Sequence, residues 1–180
     1  METTTTPTQA AIKAGLIIGL IQLVITFVCY FIDYELLGAS WLNISLFVLS
    51  IGLIIYFGIQ HRAELGGFMT YGAGFQFSFI TLIVILVIST FGNILLFQVL
   101  DPSLGEKLAD LTMERTLEMM DSFGAGNLSS EQIDEMRKGM LDSFSGWGLI
   151  KGAGFMLVVY AILALILGAI IKKRDKSLDY

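Results

Sequence analysis

The sequence predicts an all-α protein: a bundle of four transmembrane helices with an extramembrane amphipathic helical hairpin between the third and fourth spans. Three observations predict this fold. Hydrophobic residues make up 55% of the 180 residues and charged residues only 15%, whereas a soluble protein carries roughly 25% charge. Four apolar runs each reach the roughly 20 helical residues that cross a bilayer. Finally, residues 101–146 hold ten of the sixteen acidic residues. Together these features exclude soluble, disordered and disulfide-stapled proteins.

Residues 1–9 are rich in threonine and are predicted to form a disordered tail. The first span is predicted from Ala10 to Ile32. A cleaved signal peptide is the alternative. The apolar run is longer than the usual apolar region of about 7–15 residues in a signal peptide, and no small-x-small site follows it. We therefore interpret the segment as a span. Cys29 is the lone cysteine, which excludes an internal disulfide.

A second span is predicted from Trp41 to Gln60. His61, Arg62 and Glu64 follow it, and their charges are typical of a wetted loop at the membrane boundary. The pair Gly66-Gly67 then ends the helix.

The third and fourth spans complete the predicted bundle, in which spans one to three occupy residues 10–100. The third apolar run, residues 72–100, is longer than a membrane requires, which predicts a tilt, a bend near Gly92 or a start in the interface. The fourth span covers residues 147–171, and a basic tail over residues 172–180 follows it. All four spans are expected to be helical, because lipid offers no partner for unpaired backbone groups.

The acidic segment 101–146 begins with a helix start signal. Asp101 is predicted to be an N-cap and Pro102 the first helical residue. The helix is expected to run over residues 102–123. Its apolar residues form two stripes: Leu104, Leu108 and Leu111, then Met113, Leu117 and Met120.

A second helix is predicted over residues 129–145, after a turn at residues 124–127. Ser129 and Gln132 match the Ser-x-x-Gln capping box. One apolar face follows at helical spacing: Ile133, Met136, Met140 and Phe144. We expect this face to pack on the stripe that begins at Leu104, with the acidic residues turned outward.

Small residues at spacings of four predict close approaches between helix backbones. Two readings stay open for them: packing inside one bundle, and contact between copies in a homo-oligomer. The helix-packing candidates are Gly15, Gly19, Gly148, Gly152, Ala164 and Gly168.

Neutral polar side chains also lie within the apolar runs, whereas no ionisable residue lies at the centre of a span. Central ionisable residues are the usual mark of a proton or ion pathway. The neutral groups predict hydrogen bonds between helices. A polar transport path past Gln22, Gln76 and Asn93 is the alternative.

The sequence predicts no catalytic, cofactor-binding or metal-binding residue, and we expect a protein that is not an enzyme. One histidine and one cysteine cannot supply a zinc site of the usual kind. The chain lacks a Gly-Lys-Ser/Thr phosphate loop. The turn near Gly124 lacks the alternating oxygen ligands of a calcium loop. No basic patch interleaved with aromatic residues suggests nucleic acid. The expected partners are the lipid bilayer and a protein that contacts the hairpin.

The distribution of lysine and arginine predicts the orientation. Six such residues would share the side of the termini and five the side of the hairpin. Two features decide between these nearly equal numbers: bases cluster directly after the fourth span, and the first loop on the hairpin side has none. Both termini are therefore predicted to be cytoplasmic, and the hairpin extracytoplasmic.

A longer motif extends from His61 to Phe75, His-Arg-x-x-x-Gly-Gly-Phe-Met-Thr-Tyr-Gly-x-Gly-Phe, and an Asp-Pro pair follows the third span. With the acidic helical insert and the basic tail, residues 10–175 resemble four-helix membrane proteins of Bacteroidota that are known only as a domain of unknown function. The resemblance implies the fold and a bacterial inner-membrane location, and it brings no activity.

Two functions follow as expectations. The first is a non-catalytic multi-pass protein that anchors or recruits a partner through the hairpin. The alternative is a small oligomeric transporter or channel component.

Overall fold

A computed structural model describes residues 6–124 and 128–174, and all the regular structure in these ranges is helical. The helices are α1 (Pro7–Ile32), α2 (Ser40–Glu64), α3 (Tyr71–Ile94), α4 (Leu104–Ser122), α5 (Ser130–Phe144) and α6 (Gly146–Ile171). A 3₁₀ turn (Tyr34–Gly38) precedes α2, and α3 continues as a π-helix (Leu95–Leu100). The predicted all-α class is confirmed.

Four of these helices are long and apolar enough to cross a membrane: Pro7–Ile32, Ser40–Glu64, Tyr71–Leu100 and Gly146–Ile171. Only 17–28% of the most apolar stretch of each is buried within the protein. The remaining apolar surface needs lipid or another protein to cover it, which indicates a membrane protein.

The first helix begins earlier than the sequence predicts. Pro7 is its first residue, so residues 7–9 form a helical turn and do not belong to the predicted tail. The side chain of Thr6 accepts a hydrogen bond from the backbone N–H of Gln9 (3.3 Å), and the Gln9 side chain accepts one from the N–H of Thr6 (3.2 Å). This is a capping box with proline at the first helical position. Residues 1–5 lie outside the described residues.

The end of α2 corrects a second expectation. His61, Arg62 and Glu64 lie in the last turn of the helix and not in a wetted loop, and His61 is only 3% exposed. The Arg62 guanidinium donates a hydrogen bond to the carbonyl oxygen of Ile171 (2.7 Å), which ends α6. After α2, Gly66 and Gly67 both adopt positive φ angles (87° and 90°), the conformation that favours glycine in the predicted break.

The third span ends in a π-helix, and the following helix starts later than predicted. Asp101 and Pro102 form a turn, and α4 begins at Leu104. The Asp101 carboxylate accepts hydrogen bonds from the N–H (3.0 Å) and the hydroxyl (2.6 Å) of Ser103. The aspartate thus stabilises a turn before the helix and does not serve as its N-cap.

The contacts divide the chain into two compact units. Unit 1 comprises Met1–Val24, Ile44–Ser89 and Phe155–Tyr180, and unit 2 comprises Ile25–Asn43 and Thr90–Gly154. The core of unit 1 is closely packed, and its fully buried large apolar side chains are Ile18, Ile54, Phe77, Leu167 and Ile171. Met69 and Lys173 exchange two backbone hydrogen bonds (3.0 and 2.9 Å), which hold the segment after α2 against the end of α6.

Unit 2 has its own apolar cluster, built on Leu96, Phe97, Leu104 and Leu108. Residues of the 3₁₀ turn and of the helix ends pack around it, among them Tyr34, Leu37 and Phe144. This cluster includes residues of α4 and α5, which pack against each other as a pair of helices. We refer to this pair as the hairpin, and its position outside the membrane stays a prediction.

Candidate functional site: the acidic helical hairpin

Helix α4 is attached to unit 2 through its leucine stripe. Leu104 and Leu108 are buried in the unit 2 cluster, and Leu111 packs against it. The Arg115 guanidinium donates a hydrogen bond to the carbonyl oxygen of Gly38 (2.6 Å), at the end of the 3₁₀ turn. The stripe therefore shares a cluster with residues of the 3₁₀ turn and the π-helix. Of the predicted apolar face of α5, Phe144 packs against the same cluster, so the expected match between the stripe and α5 is seen at Phe144.

A different face of α4 meets α5. Gly105, Ala109 and Met113 are buried at helical spacing, and a Cβ at Gly105 would lie 3.1 Å from the Cβ of Phe144. The absence of a side chain at position 105 lets the two helices approach. The two helices pack against each other, as the sequence predicts for the pair.

Arg137 of α5 forms salt bridges with two acidic residues of α4. Its guanidinium donates hydrogen bonds to the carboxylates of Asp110 (2.7 Å) and Glu106 (3.4 Å), one turn apart on α4. The hydrogen bond to Asp110, then its charge, and to a smaller extent Glu106, raise the pKa of Arg137 above its ordinary value. The sequence analysis did not identify this pairing, because it joins residues of two different helices and depends on how those helices pack.

Helix α5 begins with the predicted capping box. The Ser129 hydroxyl accepts a hydrogen bond from the N–H of Gln132 (3.3 Å), and the Gln132 side chain accepts one from the N–H of Ser129 (2.9 Å). The helix has no fully buried residue, and its predicted apolar face is half-buried: Ile133, Met136, Met140 and Phe144. The turn at residues 124–127 lies outside the described residues except for Gly124, which follows the C-cap residue Phe123 of α4 with a φ of 73°.

Asp101 links the start of the hairpin to its surroundings. Besides Ser103, its carboxylate accepts hydrogen bonds from the Lys107 ammonium (3.3 Å) and the Tyr30 hydroxyl (3.4 Å). The hydrogen bond from the Ser103 side chain, partly opposed by desolvation and assisted by Lys107, lowers the pKa of Asp101 below its ordinary value. The carboxylate is therefore ionised at neutral pH and stabilises this junction.

The outer surface of the hairpin is acidic. Nine acidic side chains are exposed: Glu106, Asp110, Glu114, Glu118, Asp121, Glu131, Asp134, Glu135 and Asp142. On α4 the first five follow one another at three- or four-residue spacings, so they form one row. Within the described chain, Glu114, Glu118 and Asp121 form no ion pair. Near them, Met119 of the same helix and Phe123, its C-cap residue, are 56% and 82% exposed.

Two of the helix-packing candidates, Gly15 and Gly19, face α3. A Cβ at Gly15 would lie 2.6 Å from the Cβ of Val84, and one at Gly19 would lie 2.7 Å from the Cδ1 of Ile88. These distances are shorter than van der Waals contact. The structure thus places both glycines at a contact within one chain, the first of the two readings.

The four candidates of α6 divide into two pairs. Ala164 is fully buried, and a Cβ at Gly168 would lie 2.7 Å from the backbone nitrogen of Phe75 on α3. Gly148 instead lies in the first turn of α6, where the carbonyl oxygen of Asp142 leaves no room for a side chain. A Cβ at Gly152 would meet no heavy atom of the described residues within 4 Å.

The polar side chains of the spans bond to neighbouring helices. The amide of Gln22 donates hydrogen bonds to the Ser50 hydroxyl and to the carbonyl oxygen of Leu46 (3.4 Å), which link α1 to α2. The amide of Gln76 donates one to the Thr8 hydroxyl (3.3 Å), which links α3 to α1. Asn93 is half-buried. Gln22 and Gln76 thus make the interhelical hydrogen bonds that the first interpretation predicts.

Comparison with known protein families gives one result. A family described as "Protein of unknown function (DUF4199)" matches residues 13–173, which is 161 of the 180 residues. The chain belongs to the DUF4199 family. This membership confirms the expected domain of unknown function, whereas an origin in Bacteroidota stays a prediction. Comparison with curated proteins and with solved structures finds no match. Within the described residues of this DUF4199 protein, no three His, Cys, Asp or Glu side chains are grouped to hold a metal ion.

Proposed function

We propose that this DUF4199 protein is a non-catalytic, multi-pass protein of the bacterial inner membrane that recruits a partner protein through a basic segment of that partner. The binding surface is the acidic row on α4. Both termini lie in the cytoplasm in this proposal, and the hairpin lies on the extracytoplasmic side.

The observation that carries the proposal is the unpaired half of the acidic row. Arg137 pairs with Glu106 and Asp110 at one end of the row, whereas Glu114, Glu118 and Asp121 point three carboxylates outward without a counter-charge among the described residues. Three like charges within about two helical turns repel one another. A basic partner would relieve this repulsion, and the steering by charge would raise its rate of association.

The attachment of the hairpin supports the same function. The leucine cluster and the hydrogen bond from Arg115 fix α4 to unit 2, so the acidic row stands on a rigid element. A surface that is ordered before binding loses less conformational entropy when a partner arrives. The excess of acidic residues also disfavours an anionic lipid surface as the partner. The exposed Met119 and Phe123 beside the row offer apolar contacts to a protein.

Site-specific photo-crosslinking in native membranes tests the proposal. A photoreactive residue replaces Met119, and the adducts are identified by mass spectrometry. In one variant, Glu114→Gln, Glu118→Gln and Asp121→Asn remove the three unpaired charges. In the matched control, Glu131→Gln, Asp134→Asn and Glu135→Gln remove three charges from α5.

The proposal predicts an adduct with a basic segment of another protein. The adduct is lost with the α4 variant and in high salt, and it is retained with the control. An adduct that survives neutralisation of the α4 row contradicts the proposal. Adducts with a second copy of the chain alone would also contradict it, and they would favour the alternative of a small oligomeric transporter or channel component.

A further inference from the structure

Lys172 and Lys173, which directly follow α6 in unit 1, form a basic patch that the proposed function does not use. Met69, in the loop between α2 and α3, exchanges two backbone hydrogen bonds with Lys173 (3.0 and 2.9 Å). The Arg62 guanidinium donates a hydrogen bond to the carbonyl oxygen of the last residue of α6 (2.7 Å). The backbone of the basic patch is therefore held in place by the motif that runs from His61 to Phe75.

The two lysine side chains of the patch lie over aromatic rings of the same motif. The Lys172 ammonium lies 5.6 Å from the ring centre of Tyr71, and the Lys173 ammonium lies 5.8 Å from that of Phe68. Both lysines are exposed, and neither forms an ion pair within the part of the chain that the structure describes. A ring attracts an ammonium from one side and does not neutralise its charge, so the remaining N–H groups can donate to an anion. The patch thus presents two positioned positive charges.

An apolar stripe on α6 leads away from the patch. Lys172 continues the helical pattern, because its N–H donates to the carbonyl oxygen of Gly168 (3.0 Å). Ile162, Leu165 and Ala169 precede it at spacings of three and four residues, so they lie on the same face of the helix as the lysine. All three are exposed in the structure. This face can contact the acyl chains of lipids, and its lysine lies directly after the apolar span, at the depth of lipid headgroups.

We propose that the basic patch binds an anionic phospholipid, with the phosphate beside Lys172 and Lys173 and the acyl chains along the apolar stripe of α6. Lysine is a common ligand of phosphate. Glu64, the one acidic residue of the motif, lies 3.3 Å from His61 and forms no ion pair with either lysine. A zwitterionic headgroup would bring a cationic group to the same lysines, so charge complementarity favours a lipid with a net negative charge.

The apolar stripe distinguishes a lipid from a soluble anion. A soluble phosphate would contact only the lysines, whereas a phospholipid contacts the lysines with its headgroup and the stripe with its acyl chains. The site lies entirely within unit 1, and its binding does not depend on the proposed role of the hairpin.

Native mass spectrometry of the whole protein in detergent micelles, with one lipid added at a time, tests the proposal. Phosphatidylglycerol carries one net negative charge, whereas phosphatidylcholine with the same acyl chains carries none. We expect the native chain to retain more phosphatidylglycerol than phosphatidylcholine. Glycerophosphoglycerol, which is the anionic headgroup without acyl chains, should not displace the bound phosphatidylglycerol at equal concentration.

Variants locate the binding. Lys172→Gln and Lys173→Gln should each reduce the preference for phosphatidylglycerol about fivefold, the factor that one basic residue near an anionic membrane surface provides. Replacing both lysines by arginine keeps the two charges and should keep the preference. In the matched control, Lys138→Gln and Lys151→Gln together remove two exposed lysine charges outside the patch and should leave the preference unchanged.

Three results would overturn the proposal. The first is equal retention of the two lipids by the native chain. The second is a preference that Lys172→Gln and Lys173→Gln together leave unchanged, or that the control pair reduces by the same factor. The third is displacement of phosphatidylglycerol by glycerophosphoglycerol, which would make a soluble phosphate the occupant of the patch.

Discussion

At the scale of single residues, one close contact between two spans occurs at a glycine that faces backbone. Gly168 on α6 lies against the backbone of Phe75 on α3, whereas the space around Gly152, on the same helix, is open within 4 Å. Backbone cannot rotate away as a side chain does, so an added methyl group at Gly168 must push the helices apart. The spacing of small residues alone does not distinguish the two positions, since both belong to the same kind of pattern in the sequence.

We predict that Gly168→Ala destabilises the protein by about 1–3 kcal/mol, the usual cost of overpacking a close contact. Gly152→Ala is the matched control. It should be neutral or should stabilise the helix by up to about 1 kcal/mol, because alanine has the higher helix propensity. Thermal unfolding in detergent micelles measures the difference. Equal effects of the two substitutions would show that the contact with α3 does not limit the packing.

We predict that the stability of the start of the hairpin depends on pH through Asp101. The hydrogen bond from Ser103 lowers the pKa of Asp101 in the folded protein below the value of about 3.9 expected when unfolded. The stabilisation is therefore present above pH 4 and is lost as the pH falls through the lower, folded pKa. Asp101→Asn should remove this contribution, so the stability of the variant should fall less than that of the native chain between pH 4 and pH 2. Acid titrations of the native chain and of Asp101→Asn, followed by circular dichroism, measure this difference. A constant separation between the two titration curves from pH 4 to pH 2 would contradict the prediction.

At the scale of elements, the stability of α5 depends on a few contacts with α4. It has no fully buried residue, and its contacts with α4 are the salt bridges of Arg137, the close approach of Phe144 to Gly105 and a half-buried apolar face. Helix α4, in contrast, has five buried residues and is anchored to the unit 2 cluster. The hairpin should therefore open first by loss of α5.

We predict that Met140→Asp loosens α5 without disturbing the spans, because it places a charge on the half-buried face. The expected cost is on the order of 1 kcal/mol, about half of the value for full burial of such a side chain. Limited proteolysis between Asp101 and Gly146 measures the change. Arg137→Gln should have a similar effect, and Lys138→Gln, which removes a neighbouring exposed charge, should have none. Unchanged cleavage in both test variants would show that the apolar face and the salt bridges do not hold α5.

Local signals predict much of the element order. The capping box at Ser129 and the break at Gly66-Gly67 depend only on nearby residues, and the structure has both. Thr6-Pro7-x-Gln9 carries the same kind of capping signal, but its position in a threonine-rich stretch favours the interpretation as a tail. Helix α4 begins two residues later than its Asp-Pro pair predicts, because the Asp101 carboxylate bonds Ser103 inside a turn.

Features that depend on distant residues are not predictable from local patterns. The burial of His61 requires Phe77 on another helix to stack on its ring, and a charged neighbourhood at a helix end normally indicates water. The leucine stripe of α4 is predictable as an apolar face, but its partner, the 3₁₀ turn with Tyr34, is not. The acidic surface of the hairpin follows from composition alone, whereas the pairing of Arg137 follows only from the packing of two helices.

At the scale of the whole molecule, charge and apolar surface are separated along the chain. Four apolar helices leave most of their surface unburied, and the acidic hairpin falls between the last two of them. In our proposal all four helices cross the membrane, and this even number of crossings puts both termini on one side and the hairpin on the other. The bases that follow α6 assign the side of the termini to the cytoplasm in our proposal. Recruitment of an extracytoplasmic partner depends on this topology.

Labelling of single cysteines with a membrane-impermeant maleimide tests this topology most directly. With Cys29→Ser as the background, Ser122→Cys places a thiol in the last turn of α4, and a cysteine added after Tyr180 reports the C-terminus. We predict that Ser122→Cys is labelled in intact spheroplasts, whereas the C-terminal cysteine is labelled only after the membrane is opened. The reverse pattern, or labelling of both thiols in intact spheroplasts, would contradict an extracytoplasmic hairpin and the recruitment that depends on it.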